Sequence, residues 1–182
     1  MTRFPPLIIV VASLFLMLQT EMVFAQSARL DENEVKAAYI YNFAKYVEWP
    51  VTTSAQETST LYFCVIGYAP FNASVMAPLT EKQLKNRRVS IRELTFDDDI
   101  SRCNLLFINP QARNNLTNIL KSATENSILT VSDIKGFATA GGIIEFIPMG
   151  NKIRFRINNR SARMSNLKIS SQLLNLATSV IE

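Results

Sequence analysis

The spacing of apolar residues changes along the chain between helical periodicity and short unbroken runs. In the first periodic segment, Asp31 and Glu34 form a D-x-x-E capping pattern, which predicts that a helix begins there. The helix is predicted to end before Trp49–Pro50, because a residue that precedes proline avoids the α region. Packing in a core explains the aromatic residues of this segment, and a platform that stacks bases or sugars is the alternative. The predicted apolar face comprises Val35, Tyr39, Phe43, Tyr46 and Val47.

Short apolar runs further along the chain predict β-strands. Runs without polar interruption are typical of strands that are buried on both faces of a parallel sheet. The predicted strands are Leu61–Ile66, Val89–Leu94, Leu105–Ile108 and Ile128–Val131. Helical segments between them are predicted over Asn72–Leu84, where Pro78 interrupts the helix, and over Leu116–Ala123.

The pattern changes after Gly141–Gly142, a pair that allows a sharp turn. A β-hairpin is predicted from Ile143–Pro148 and Lys152–Ile157, joined by Met149-Gly150-Asn151. A short helix over Asn158–Met164, an extended piece over Leu167–Ile169 and a final helix capped by Ser170 complete the order. The sequence therefore predicts an α/β fold with a largely parallel sheet flanked by helices, followed by a C-terminal β-hairpin and helix.

The first 25 residues have the pattern of a secretory signal peptide. Arg3 supplies the positive start, Leu7–Leu18 the apolar run, and Val23–Ala25 the small residues of a cleavage site after Ala25. A membrane anchor is the alternative, but the run is shorter than the roughly 20 residues that span a bilayer. We therefore expect residues 26–182 to be exported as a single domain without direct membrane insertion.

Composition excludes several classes of catalytic site. The 182 residues contain no histidine and two cysteines, so Ser-His-Asp and Cys-His pairs, histidine-ligated metals and four-thiolate metal sites are excluded. Neither G-x-G-x-x-G nor the P-loop signature occurs. The sequence therefore predicts no cofactor, no metal site and no catalytic residues.

Export places Cys64 and Cys103 in an oxidising compartment, where thiols pair. A disulfide between them would close a loop of about 40 residues and stabilise the fold by roughly 4 kcal/mol in the chain-entropy estimate. Two free buried cysteines are the alternative.

Polar residues follow the predicted strands at the edge where parallel sheets bind ligands. Asn109 comes directly after one strand, and Ser132 and Asp133 follow the next. These three side chains are candidate ligand-binding residues, and the formation of turns explains them equally well.

Arginines are concentrated in the C-terminal half. Arg154 and Arg156 alternate with apolar residues on one predicted strand, while Arg160 and Arg163 follow it. Four arginines are too many to lie in an interior, so they must face solvent or a partner. We interpret the four as a candidate partner-binding surface, and a solvated basic face is the alternative. The net charge of +4 is modest and the basic residues lack the density of a nucleic-acid binder.

Three stretches together resemble the YfiR family of exported bacterial proteins. They are Lys36–Pro50 (KAAYIYNFAKYVEWP), the Cys64 and Cys103 pair in FCVIG and CNLLFI, and Ile128–Ala177 with ILTVSD, GFATAGGIIEFI, KIRFRIN and LKISSQLLNLA. The resemblance implies a periplasmic regulatory homodimer with an α/β fold. It implies that the protein binds the periplasmic sensory domain of an inner-membrane diguanylate cyclase, or of another sensor, and represses cyclic di-GMP synthesis and biofilm formation.

The chain departs from the family pattern in two places. It lacks the second cysteine pair of the better-known member, so control through that second bridge is in doubt. The hairpin strand, commonly F-E-I-N in the family, is Phe155-Arg156-Ile157-Asn158, which reverses a charge. A periplasmic small-molecule binding protein is the alternative function, and an enzyme is disfavoured because general acid–base catalysis most often uses histidine.

Overall fold

The computed structural model describes residues 32–50, 59–67 and 73–182. The predicted signal peptide and its cleavage site lie outside these ranges and stay predictions, as does the extent of the domain from residue 26. Residues Glu32–Glu182 group as one unit.

Helices and strands alternate along the described chain. The helices are α1 (Glu32–Lys45), α2 (Ala73–Thr80), α3 (Leu116–Glu125), α4 (Asn159–Met164) and α5 (Ser171–Leu176), with a 3-10 helix over Pro110–Asn115. The strands are β1 (Val47–Glu48), β2 (Thr60–Ile66), β3 (Gln83–Leu84), β4 (Arg87–Leu94), β5 (Leu105–Ile108), β6 (Leu129–Ser132), β7 (Ile144–Met149), β8 (Lys152–Asn158), β9 (Lys168–Ile169) and β10 (Ser179–Ile181).

Eight strands form one sheet in the order β10-β8-β7-β6-β5-β2-β4-β3. The pairs β7–β8 and β3–β4 are antiparallel, and the other neighbours in this sheet are parallel. The predicted fold class, a largely parallel sheet flanked by helices with a C-terminal hairpin and helix, is therefore confirmed. Strands β1 and β9 pair separately as a short antiparallel ribbon.

The central strands are buried on both faces, as their apolar runs predicted. Side chains of successive residues point to opposite faces of a sheet. Phe63 and Phe107 accordingly belong to one apolar cluster, with residues of α1 and α2, while Cys64 and Leu106 belong to a second cluster with residues of α3. The sheet therefore lies between two helical layers at its centre.

Helix α1 packs its aromatic residues against the β7–β8 hairpin. The ring of Phe43 lies 4.9 Å from that of Phe155, and Tyr39 contacts both Phe146 and Phe155. These contacts place the aromatic residues in the core and leave no stacking platform there. The buried face is turned slightly from the predicted one, because Val35 and Tyr39 are only partly buried. The buried residues of α1 are Lys36, Ala37, Ile40, Phe43 and Ala44.

The chain after α1 is attached to the other end of the sheet. The indole Nε1–H of Trp49 donates a hydrogen bond of 3.0 Å to the main-chain oxygen of Asn104, directly before β5. Lys36, near the start of α1, bonds to Asp133 after β6. Helix α1 therefore runs antiparallel to β5 and β6, from their carboxyl ends to their amino ends.

Three short strands were not predicted from the sequence: β1, β3 and β10. The segment predicted as a helix over Asn72–Leu84 is helical only to Thr80, and its last two residues form β3. Pro78 lies inside α2 and does not interrupt it. Strand β10 adds to the edge of β8 in parallel orientation, with Ser179 beside Arg156 and Ile181 beside Asn158.

Candidate functional site

The two arginines of β8 lie on the face of the sheet that is opposite to α1. Phe155 and Ile157 are 3% and 0% exposed and pack in the cluster below α1. Because side chains alternate along a strand, Arg154 and Arg156 point to the other side. Arg154 is exposed there, whereas the side chain of Arg156 is only 34% exposed. The alternation predicted from the sequence is therefore present, but the two arginines have different surroundings.

Arg156 is held by residues of its own chain. It is the register partner of Glu145 across β7 and β8, and its Nη1 lies 3.8 Å from the Glu145 Oε2. The backbone N–H groups of Gly136 and Ala138 also donate to the Glu145 carboxylate, at 2.9 and 3.0 Å. Nε–H of Arg156 donates to the Ser179 Oγ at 2.8 Å. Arg156 therefore compensates a buried carboxylate and binds strand β10.

Arg160 and Arg163, on α4, contact the residue that follows β10. The Arg163 Nη1 lies 2.8 Å from the Oε2 of Glu182, and the Arg160 Nε–H donates to the main-chain oxygen of Glu182 at 3.1 Å. Asn159 Nδ2–H donates to the same carboxylate. The hydrogen bonds from Arg163 and Asn159 lower the pKa of Glu182. The structure thus gathers Arg156, Arg160 and Arg163 along β10, and all three bind the chain itself.

The predicted ligand-binding residues do lie together at the carboxyl edge of β5 and β6. Two of them use their side chains to hold the backbone. The Asn109 Oδ1 accepts a hydrogen bond from Gln111 N–H and caps the 3-10 helix. The Ser132 hydroxyl donates to the Ile108 oxygen at 2.6 Å and accepts from Ile134 N–H at 3.0 Å. Asn109 and Ser132 therefore have structural roles as turn residues, which was the alternative left open by the sequence.

Asp133 has a partner that the sequence analysis missed. The ammonium of Lys36 lies 2.9 Å from the Asp133 Oδ2 and 2.7 Å from the Glu32 Oε1, and the Lys36 side chain is 8% exposed. Burial lowers the pKa of Lys36, but the hydrogen bonds to Glu32 and Asp133 outweigh it and raise this pKa above 10.5. The other oxygen of Asp133 is buried and has no hydrogen-bond partner among the described residues. The sequence does contain a signal for this buried lysine. Ile40 and Phe43 follow Lys36 by four and seven positions, so the three residues lie on the same, buried face of the helix.

The predicted disulfide between Cys64 and Cys103 is confirmed. It joins Cys64 in β2 to Cys103, which lies two positions before the start of β5, with the two Cα atoms 5.8 Å apart. Both cysteines are buried, at 0% and 3% exposure, in the apolar cluster on the α3 side of the sheet.

Neither a metal-binding cluster nor a membrane-spanning helix is present among residues 32–50, 59–67 and 73–182. Within these ranges, no three side chains among histidine, cysteine, aspartate and glutamate are placed to hold a metal ion. None of the helices in this part of the chain has the length and apolar character needed to cross a bilayer.

Two solved structures show the same fold at low sequence identity. A conserved domain protein from Vibrio cholerae superposes with a TM-score of 0.57 at 12% identity, over 82% of this chain and 60% of that one. The ABC domain in complex with L-Trp from Streptococcus pneumoniae gives a TM-score of 0.53 at 9% identity, over 80% of this chain and 60% of that one. The chain therefore spans only about three fifths of either structure. No curated protein matches the chain.

A family model described as YfiR/HmsC-like matches residues 33–178, which include every element from α1, apart from its first residue, to α5. This match agrees with the resemblance found in the motifs, and the Cys64–Cys103 disulfide fits a periplasmic protein. A regulatory rather than catalytic family also fits the composition without histidine. The chain belongs to the YfiR/HmsC-like family, and this membership supports a periplasmic regulatory role in general.

Proposed function

We propose that this protein binds the periplasmic sensory domain of an inner-membrane diguanylate cyclase, and thereby represses cyclic di-GMP synthesis and biofilm formation. Membership of the YfiR/HmsC-like family supports this function. We also propose that the protein is exported, that its signal peptide is cleaved after Ala25, and that it acts as a homodimer. A sensor kinase with a comparable periplasmic domain is the other candidate partner.

The observation that carries the proposal is the uncovered face of the β7–β8 hairpin. In the hairpin register Ile147 lies beside Arg154, and Met149 lies beside Lys152. These four side chains share the face that points away from α1. Met149 is 55% exposed, and Lys152 and Arg154 are exposed as well. A surface that combines apolar side chains with arginine is typical of a protein interface, and its charge fits an acidic partner.

The unusual arginine in the hairpin strand does not conflict with a shared partner. Arg156 stands where the family commonly has glutamate, but its charge is compensated within the chain by Glu145. A partner surface therefore needs no compensating carboxylate for Arg156. Arg154, which has no carboxylate within ion-pair distance among the described residues, is the arginine best placed to contact a partner.

The test is binding between the oxidised protein and the periplasmic domain of an inner-membrane diguanylate cyclase from the same organism. We expect Arg154→Glu to weaken binding about tenfold or more, with a smaller salt dependence than the unaltered protein. Lys121→Glu reverses an exposed charge on α3 and serves as the matched control. Loss of repression of cyclic di-GMP in cells should follow the same order. Unchanged binding by a folded Arg154→Glu variant would show that the hairpin face is not the interface.

A second candidate function is the binding of a small molecule at the carboxyl edge of β5 and β6. The structural neighbour from Streptococcus pneumoniae contains L-Trp, and at this edge the buried second oxygen of Asp133 accepts no hydrogen bond from any described residue. A thermal-shift screen of amino acids and other small metabolites tests this candidate, because a ligand of the native state raises the melting temperature. A ligand whose stabilisation disappears in Asp133→Asn would support it.

A further inference from the structure

Strand β10 is attached weakly to the edge of the sheet. It has three residues and, among the described parts of the chain, pairs only with β8. Ser179 is exposed, and Val180 and Ile181 are only partly buried. The side-chain contacts that hold it are at the surface, where single ion pairs and hydrogen bonds contribute little. Such an edge segment opens locally at a lower free energy than the core does.

The contacts of β10 are nevertheless specific. The main-chain N–H and the hydroxyl of Thr178 both donate to the Phe155 oxygen, at 2.9 Å each. Beyond the strand, Glu182 is bound through both its carboxylate and its main-chain oxygen, by Asn159, Arg160 and Arg163. The edge of β8 and helix α4 together therefore recognise an extended segment that is followed by a carboxylate.

We propose that this recognition site also binds an extended acidic segment of a partner protein, which replaces β10 beside β8. The addition of a strand to a sheet edge supplies affinity through main-chain hydrogen bonds, while side-chain contacts supply specificity. The partner segment would run parallel to β8, with a β-branched pair in the places of Val180 and Ile181 and a carboxylate in the place of Glu182. Arg163 and Arg160 would bind that carboxylate. In the free protein β10 occupies the site and competes with the partner.

This site goes beyond the proposed function and does not depend on a diguanylate cyclase. The two surfaces also differ in accessibility. The charged residues of the hairpin face around Arg154 are exposed, whereas the site beside β8 is covered by β10 of the same chain. The two surfaces lie on the same strand, and each has its own test.

The first test is native-state hydrogen exchange on the oxidised full chain. If β10 opens locally, the amides of Thr178 and Val180 should exchange roughly 100-fold faster than those of β5 and β6. Amides of β10 that exchange only as fast as the amides of β5 would overturn the proposal, because the strand would then open only with the whole fold.

The second test is binding of the peptide ATSVIE, which copies residues 177–182, to the full chain, followed by NMR. Glu182→Gln weakens only the internal competitor, so it should tighten binding of the peptide roughly two- to fivefold. Arg163→Ala alone removes the same contact from β10 and from the peptide, so its effects on the two cancel. Added to Glu182→Gln, it removes only the contact of the peptide's carboxylate and should loosen binding by a similar factor. The peptide ATSVIQ should likewise bind more weakly than ATSVIE. Glu125→Gln, an exposed carboxylate on α3, is the matched control and should change nothing.

The directions of these changes decide the question. Tighter binding in Glu182→Gln that is reversed when Arg163→Ala is added, with shifted resonances in β8, supports the site. Absence of binding at millimolar peptide, or a Glu182→Gln effect that Arg163→Ala does not reverse, would overturn it. Exchange of β10 between two copies of the chain, detected as a dimer that dissociates on addition of the peptide, would assign the site to a second copy of this chain and would overturn binding of a partner protein.

Discussion

Glu145 and Arg156 lie opposite each other in the β7–β8 register, with the buried carboxylate 3.8 Å from the guanidinium. The neighbouring Arg154 has the same sequence character but points to solvent. One arginine of the alternating pair thus belongs to the fold, while the other is free to contact a partner.

Charge reversal should separate these two roles. We expect Arg156→Glu to lower the free energy of unfolding by about 1–3 kcal/mol, because it places a second carboxylate beside the buried Glu145. Arg154→Glu should change this free energy by no more than about 0.5 kcal/mol. Urea unfolding measures both. Equal effects of the two substitutions would mean that Arg156 does not compensate Glu145.

Removal of the disulfide should destabilise the protein strongly. We expect the double variant Cys64→Ala/Cys103→Ala to lower the free energy of unfolding by about 2–5 kcal/mol. The bridge joins residues that are 39 positions apart in sequence, so its loss increases the conformational entropy of the unfolded chain. The alanine pair avoids burying hydroxyl groups. Reduction of the unaltered protein should be slow under native conditions because both sulfur atoms are buried. Rapid reduction of the folded protein would indicate instead a bridge that can act as a redox sensor.

Gly142 should not tolerate a side chain. A Cβ at this position would overlap the ring of Phe137, which is fully buried. We expect Gly142→Ala to cost about 3 kcal/mol through overpacking, as measured by thermal or urea unfolding. Phe137→Leu in the same chain should recover part of that loss. The control is Gly150→Ala, which meets no atom within 4 Å and adds only the smaller cost of a positive φ.

The Lys36–Asp133 pair should behave as a coupled unit. Lys36→Met keeps most of the packing volume but leaves Asp133 without its cation, so we expect a loss of about 1–3 kcal/mol in the free energy of unfolding. Combined with Asp133→Asn, the loss should be smaller than the sum of the two single losses. A double-mutant cycle measures this coupling, and strict additivity would show that the contact contributes nothing.

Acid should loosen β10 before it unfolds the core. The pKa of Glu182 is held below 4.5 by the hydrogen bonds from Arg163 and Asn159, so its stabilising contact is complete at neutral pH. The contact is lost as the pH falls through the lowered pKa. Exchange of the β10 amides, corrected for its intrinsic pH dependence, should therefore accelerate as the pH falls through the lowered pKa of Glu182. The Glu182→Gln variant should lack this acceleration.

The sequence predicted the elements that have strong local patterns and missed those that depend on distant contacts. The predicted bounds Leu61–Ile66 and Leu105–Ile108 agree with those of β2 and β5 to within one residue. Short unbroken apolar runs of this kind are typical of strands that are buried on both faces of a parallel sheet. Strands β1, β3 and β10 have two or three residues and form only because another segment lies beside them. No local pattern could reveal them.

The candidate site shows the same division. Asn109 and Ser132 were correctly placed at one sheet edge, but sequence alone could not show that their hydrogen bonds serve the backbone. The pairing of Lys36 with Asp133 spans 97 residues and follows only from the packing of α1 across the sheet. Gly142 was assigned to a sharp turn. Its neighbour Gly141 has the positive φ of +102°, whereas Gly142 is needed for the close approach of Phe137.

The hydrogen bond between Trp49 and Asn104 gives the protein an intrinsic optical probe. Trp49 is the only tryptophan of the chain, and its indole is partly buried against the core beside the residue that follows Cys103. Its emission therefore reports on one place, the amino end of β5. Fluorescence excited at wavelengths that only tryptophan absorbs will detect loss of structure there without any label. Opening of β10, at the far edge of the sheet, should leave this emission unchanged, whereas global unfolding should shift it.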